Sequence, residues 1–128
     1  MLGPSDIYHF SKSGMVPSTA RRSRWRAMAR GIIRRSQQMN SLTDEELTAA
    51  GRKLRWEAKA GTALDKLLPE AYALVRQSSR RVLNMEHFEV QVMGAIALFE
   101  GHIAEMQTGE GMTLTATMPS FLRALPGQ

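Results

Sequence analysis

The predicted fold depends on one stretch near the C-terminal end of the chain, Met106-Gln107-Thr108-Gly109-Glu110-Gly111-Met112-Thr113. The residues just before it, His102-Ile103-Ala104-Glu105, alternate polar and apolar side chains, which predicts a short strand over residues 102–106. The residues after it predict a helix over residues 112–124, which Pro119 should kink. The stretch therefore predicts a glycine-containing loop that joins a strand to a helix.

A loop of this kind can bind an anion, because successive backbone N–H groups turn inward at the N-terminus of the following helix. The complete phosphate-loop pattern ends in Gly-Lys-Ser/Thr, where the lysine reaches the phosphates and the hydroxyl reaches Mg²⁺. Here Gly111 and Thr113 are present, but Met112 occupies the lysine position. The pattern alone fits either a nucleotide loop or a tight turn in which Gly109 and Gly111 supply positive φ.

The composition limits the class of protein. A chain of 128 residues forms one domain at most, and the absence of cysteine excludes disulfides and thiolate metal sites. The three histidines are scattered and do not form a metal cluster. We see no secretory signal, and the longest apolar stretch, residues 92–99, is far shorter than the roughly 20 residues of a membrane span.

The positive charge is concentrated at the N-terminal end. Residues 1–35 carry eight Lys/Arg against one acid, whereas residues 36–128 carry nine Lys/Arg against eleven acids. We predict a flexible N-terminus over residues 1–17 and a basic amphipathic helix within 18–40, with one apolar stripe formed by Trp25, Met28, Ala29, Ile32 and Ile33. Such a helix can pack on the body of the domain, lie on an anionic membrane or a partner, or follow phosphates.

Three more helices are predicted between this segment and the loop. The first follows the capping box of Thr43 and Glu46 and reaches about residue 60, where Gly61 ends it. The second has Pro69 in its first turn and ends near Asn84, with one face buried and Arg76, Arg80 and Arg81 largely outside. The third covers residues 89–100 and ends at Gly101, with Val90, Met93, Ile96 and Ala97 facing inward.

Three separated segments of the chain share a further pattern. They are Leu68-Pro69-Glu70-Ala71-Tyr72-Ala73-Leu74-Val75-Arg76, then Met85-Glu86-His87-Phe88-Glu89-Val90-Gln91, then Ile103-Ala104-Glu105-Met106-Gln107-Thr108-Gly109-Glu110-Gly111 with the residues up to Leu122. In this order and spacing they resemble the N-terminal helices and first motor domain of the SecA preprotein translocase ATPase. The likeness covers roughly residues 40–125, and the N-terminal arm matches only in being basic and helical.

The resemblance implies a fold and a nucleotide site. The fold is mainly α, the helical N-terminal part of a P-loop (RecA-like) α/β motor domain, with one short strand before the phosphate loop. Residues 41–128 would form a partial DEAD-like nucleotide-binding domain. Adenine would lie against Met85, Phe88 and Gln91, since a thioether and a ring can sandwich a purine and an amide can pair with its edge.

The remaining predicted site residues are those of the loop, Thr108, Gly109, Glu110, Gly111, Met112 and Thr113, with Thr113 as the Mg²⁺ ligand. Two residues depart from the family pattern. Glu86 stands where the family usually has a base, and Met112 replaces the lysine, which removes a cation from a reaction that depends on charge neutralisation. We therefore expect ATP or ADP with Mg²⁺ to bind weakly, and we assign no catalytic residue.

These observations give two hypotheses for the function. The first is a truncated SecA-like protein-translocation ATPase region, cytoplasmic and peripheral at the inner membrane, with a degenerate ATP site and no turnover of its own. Its partners, by resemblance, are a SecYEG-type translocon and anionic phospholipid, whereas preprotein is not expected to bind and nucleic acid is the least favoured ligand. The second is a non-enzymatic module that binds anionic membrane or a translocon partner through its arginine-rich helix. The unpaired strand could also support self-association.

Overall fold

The computed structural model describes residues 19–102 and 109–127 of the chain. This part of the protein has five α-helices and no strand. The helices are α1 (Thr19–Gln38), α2 (Asp44–Lys59), α3 (Leu64–Leu83), α4 (Glu89–Phe99) and α5 (Gly109–Ala124). Short 3₁₀ turns follow α1 at Met39–Ser41 and α5 at Leu125–Gly127.

Local sequence signals explain several helix ends. Thr43 accepts a hydrogen bond from the N–H of Glu46, whose carboxylate accepts one from the N–H of Thr43, so the predicted capping box starts α2. Gly61 follows α2 with φ +103°, and Asn84 ends α3 in the left-handed region with φ 54°. Gly101 follows α4 with φ +89°. These predicted stops are confirmed.

Helices α3 and α4 each pack against α1 on one side and against α5 on the other, and the core lies between these four helices. From α1 the buried members are Trp25, Ala29 and Ile32, so the predicted stripe is confirmed. The centre of the core is formed by Leu68, Tyr72, Met93, Ile96, Met118 and Leu122. The hydroxyl of Tyr72 donates a hydrogen bond of 2.9 Å to the carbonyl of Ala95, which ties α3 to α4 inside this core. The basic helix is therefore part of the domain.

Two predictions about α3 are wrong. The helix starts at Leu64, so Pro69 lies inside it and not in its first turn. The apolar residues Leu67 and Leu68, which are both buried, extend the helical stripe in the N-terminal direction and explain the earlier start. Arg76, which we placed outside, is only 8% exposed. It lies one turn after buried Tyr72, on the same face of the helix.

The C-terminal region also differs from the sequence-based expectation. We predicted a glycine loop within residues 106–113 that leads into a helix from residue 112. In the structure α5 already begins at Gly109. Residue 102, the first of the predicted strand, follows the turn after α4 and is not in a strand, and residues 103–108 lie outside the described part of the chain.

Candidate functional site

The predicted adenine residues lie on the connection from α3 to α4 and on the first turn of α4. Met85 and Phe88 have 44% and 69% of their surface exposed, although both are large and apolar. The connection is short because α3 stops at Asn84 and α4 starts at Glu89. Exposed thioether and aromatic side chains three residues apart on a short turn are available to cover the face of a flat, apolar ring.

Gln91 sits at the N-terminus of α4 and is 9% exposed. Its Oε1 accepts a hydrogen bond of 2.7 Å from the N–H of Phe88, so the amide side chain caps the helix. An amide oxygen has two lone pairs and the amide nitrogen has two N–H groups. Capping therefore uses one of the four hydrogen bonds that this side chain can make, and its orientation is fixed relative to Phe88.

A buried arginine holds the connection in place. The Nε of Arg76 donates a hydrogen bond of 2.9 Å to the carbonyl of His87, which is itself fully buried. Burial lowers the pKa of Arg76, although the nearby carboxylate of Glu86 acts in the opposite direction. An arginine side chain is not deprotonated inside proteins, so the group stays charged at neutral pH. The turn that carries Met85 and Phe88 is thus fixed from inside the domain.

Glu86 completes this arrangement. Its two carboxylate oxygens lie 3.6 Å from Nη2 of Arg76 and 3.1 Å from Nε of Arg80. Sequence reasoning interpreted Glu86 as a reversed charge beside the nucleotide site. In the structure its negative charge faces two arginines of α3, so it balances positive charge that the fold itself places there.

One contact connects the turn to the helix that follows the predicted phosphate loop. Nε2 of His87 lies 3.4 Å from Oγ1 of Thr117 on α5. The two predicted halves of the site, the adenine turn and α5, therefore share a polar contact. Of the six predicted loop residues, Thr108 lies outside the described residues, while Gly109, Glu110, Gly111, Met112 and Thr113 form the start of α5. Only their backbone is described.

Several arginines of α1 face acids of this same chain. Arg24 makes a two-pronged pair with Glu100 at 2.8 and 2.6 Å, and the indole Nε1 of buried Trp25 donates a third bond to Glu100 at 3.0 Å. The hydrogen bond from Arg24 holds the pKa of Glu100 below its usual value of 4.5. The same helix is tied to α4 and α3 by two further ion pairs, Arg30 with Glu89 and Arg35 with Glu70.

Sequence reasoning missed Arg76, Glu86 and Glu100 as organising residues. Only the first carried a usable signal, its position one turn after Tyr72 on the apolar face. A cleft of about 540 Å³ lies elsewhere, between α2, α3 and α5, and its lining includes none of the predicted site residues. Among the described residues, no group of three or more acids and histidines could hold a metal ion. No helix in the described ranges is long and apolar enough to cross a membrane.

Comparison with known proteins supplies the family context. A family model described as the SecA DEAD-like domain matches residues 11–128. The chain is 57% identical over 91 residues to the protein translocase subunit SecA of Carboxydothermus hydrogenoformans, covering 71% of this chain and 10% of that protein. It is 59% identical over 99 residues to the SecA 2 subunit of Staphylococcus haemolyticus, covering 76% and 12%. With the SecA 2 subunit of Rhodopirellula baltica it shares 48% over 105 residues, covering 82% and 16%.

Proposed function

This chain belongs to the SecA DEAD-like domain family, and from that premise we propose that it carries the adenine-recognition turn and phosphate loop of a protein-translocation ATPase in a weakened form. The chain spans only 10% to 16% of the length of the relatives named above. The proposal therefore also includes the activity and the surroundings of the longer relatives, namely translocation, a translocon partner and a position at the membrane.

The observation that carries the proposal is the fixed geometry of the adenine turn. Phe88 is 69% exposed while its own N–H is bonded to Gln91, so the amide is held beside the backbone of the residue that carries the exposed ring. An adenine stacked on Phe88 would present its amino group and a ring nitrogen to Gln91, whose Oε1 has a second lone pair and whose Nε2 carries donors. Met85, three residues before Phe88, would contact the same base.

The phosphates would meet the first turn of α5. The first four N–H groups of an α-helix have no partner within the helix, and the helix dipole adds a partial positive charge there. Thr113 would supply the hydroxyl for Mg²⁺. Met112 offers neither a cation nor a donor, so the phosphates of ATP would be held by backbone groups alone, and binding of the base would contribute most of the affinity.

We test the base site with two substitutions that keep the fold. Gln91→Glu retains an oxygen that can accept the N–H of Phe88 but removes the amide donors, and Phe88→Ala removes the exposed ring. Base stacking contributes about 1–3 kcal/mol, so Phe88→Ala should weaken ATP binding by roughly fivefold to 150-fold. Isothermal titration with millimolar ATP, ADP and GTP measures the effect, with Val82→Ala as the control for an exposed apolar residue that is not assigned to the site.

The proposal predicts that ATP and ADP bind more tightly than GTP, since the oxygen at position 6 of guanine repels Oε1 of Gln91. Equal affinity for ATP and GTP, or ATP binding that Phe88→Ala and Gln91→Glu leave unchanged while the melting temperatures stay the same, would show that the turn does not bind the base.

The second hypothesis, a non-enzymatic module that binds anionic membrane or a translocon partner through its arginine-rich helix, has less support in its membrane form. A helix that lies on a membrane buries its apolar face in lipid. In α1 that face is already buried in the core through Trp25 and Ile32, each 1% exposed. Arg24, Arg30 and Arg35 are paired with acids of the same chain.

A further inference from the structure

A second basic surface lies on α2, away from the adenine turn. Arg52, Arg55, Trp56 and Lys59 are exposed, and Arg55 and Trp56 each lie three or four residues from both Arg52 and Lys59, so the four form one stripe near the end of the helix. We call these four residues the α2 outer stripe. The opposite face of α2 is buried through Leu47, Leu54 and Ala58.

The cations of the stripe are not neutralised by the described part of the chain. The one acid between Arg52 and Lys59 in the helix sequence is Glu57, which lies 4.0 Å from Lys53. Within residues 19–102 and 109–127, no carboxylate lies within ion-pair distance of the stripe. This differs from α1, where long arginines reach acids on other helices. The fold therefore leaves the charge of the stripe available to another molecule.

The stripe also contains the more exposed tryptophan of the chain. Trp56 is 73% exposed, whereas Trp25 is 1% exposed. An exposed tryptophan among arginines has the composition of a protein-binding surface, because Trp and Arg contribute most to binding at interfaces.

A concave apolar surface adjoins the stripe. A cleft of about 430 Å³ is lined by Arg52 and Arg55 on one side and by Phe121, Ala124 and Leu125 on the other. The two arginines therefore line a partly apolar hollow between α2 and the end of α5. A flat membrane surface cannot fill such a hollow, but a single side chain of a bound peptide can.

From this arrangement we propose that the α2 outer stripe and its cleft dock an acidic protein segment. One apolar side chain of the partner enters the cleft against Phe121 and Leu125. Carboxylates on either side of it pair with Arg52 and Arg55, whose forked donors suit carboxylate geometry. Trp56 covers the bound segment from outside. This docking surface is independent of the proposed nucleotide site.

The experiment selects the bound segment from random peptides. A yeast-displayed library of random linear peptides is sorted for binding to the 128-residue chain, to Arg52→Glu/Arg55→Glu and to Arg34→Glu/Lys66→Glu. The last variant changes the net charge equally, at two exposed residues outside the stripe. Melting temperatures establish that all three chains are folded. Trp56→Ala serves as a fourth chain that keeps the charge and removes the ring.

We expect peptides enriched on the unmodified chain to contain two or more acids beside one large apolar residue. Their affinity should fall about tenfold or more in Arg52→Glu/Arg55→Glu and in Trp56→Ala, should decrease with salt, and should be unchanged in the control variant. Enrichment without an acidic bias, or equal binding to both double variants, would overturn the proposal. So would binding to phosphatidylglycerol vesicles through the same arginines without acidic peptides being enriched, which would assign the stripe to a membrane.

Discussion

Replacement of Arg76 by methionine tests whether the adenine turn is held from inside the domain. Methionine keeps much of the apolar stem but removes the donor to the His87 carbonyl, which would then lie in a buried environment without its present partner. A lost hydrogen bond to a charged group contributes about 1.5–3 kcal/mol. The guanidinium is itself partly desolvated, so its removal recovers part of that cost. We expect the free energy of unfolding to fall by about 2 kcal/mol.

The assay is urea unfolding followed by tryptophan fluorescence, where buried Trp25 reports loss of the core. Glu86→Gln is the matched comparison, because it weakens the ion pairs at 3.6 and 3.1 Å but leaves the bond to the carbonyl intact. Its partly exposed ion pairs should contribute less than about 1 kcal/mol. A change of less than about 0.5 kcal/mol in the unfolding free energy of Arg76→Met, or a larger loss in Glu86→Gln than in Arg76→Met, would show that the bond to the His87 carbonyl does not hold the turn.

Three other predictions concern the scaffold. Thr43→Ala should cost about 1 kcal/mol in chemical unfolding because the N–H of Glu46 loses its partner, and an unchanged midpoint would contradict the capping role. Asn84→Ala should destabilise by about 1 kcal/mol while Asn84→Gly stays within about 0.5 kcal/mol, since the residue has φ 54°; equal effects would be inconsistent with this explanation. The pKa of Glu100 is depressed mainly by its hydrogen bond from Arg24, so the stability it provides is present above about pH 4.5 and is lost as pH falls through the lower folded value. Acid titration of thermal stability should show a smaller loss for Glu100→Gln, and identical pH profiles would exclude this contribution.

Signals within a few residues predicted much of the fold. The box of Thr43 and Glu46, the left-handed stop at Asn84 and the apolar spacing of α1 each involve neighbouring residues, and all appear in the structure. The start of α3 was misjudged because a general rule for proline placed Pro69 in the first turn, while burial of Leu67 and Leu68 determined the actual start. Local rules fail where tertiary packing opposes them.

The arrangement of charge could not be predicted in this way. Arg24 pairs with Glu100 and Arg35 with Glu70, and these partners are far apart in the sequence. Without the topology, all the arginines of α1 looked available for an external ligand, whereas in the structure Arg24, Arg30 and Arg35 are paired with acids of other helices or helix ends. Burial of Arg76 was missed for a related reason, because a charged residue was assigned to the surface by type and not by its position on the helix.

The sequence could identify the nucleotide-site candidates only through resemblance. Met85, Phe88 and Gln91 carry no individual signal, and the structure adds that two are exposed on one turn and that the third caps α4 beside them. The contact between His87 and Thr117 joins residues 30 positions apart and could not be anticipated from any local pattern.

We propose that the site keeps its recognition of the base but lacks the cation at position 112. Isothermal titration of Met112→Lys with ATP and Mg²⁺, compared with the unmodified chain and with Met112→Leu, tests it most directly. A restored charge-assisted contact contributes about 1.5–3 kcal/mol, so Met112→Lys should bind ATP roughly 10-fold to 150-fold more tightly while Met112→Leu changes little. Equal ATP affinity in all three chains, or no binding heat from any of them at millimolar ATP, would contradict the claim.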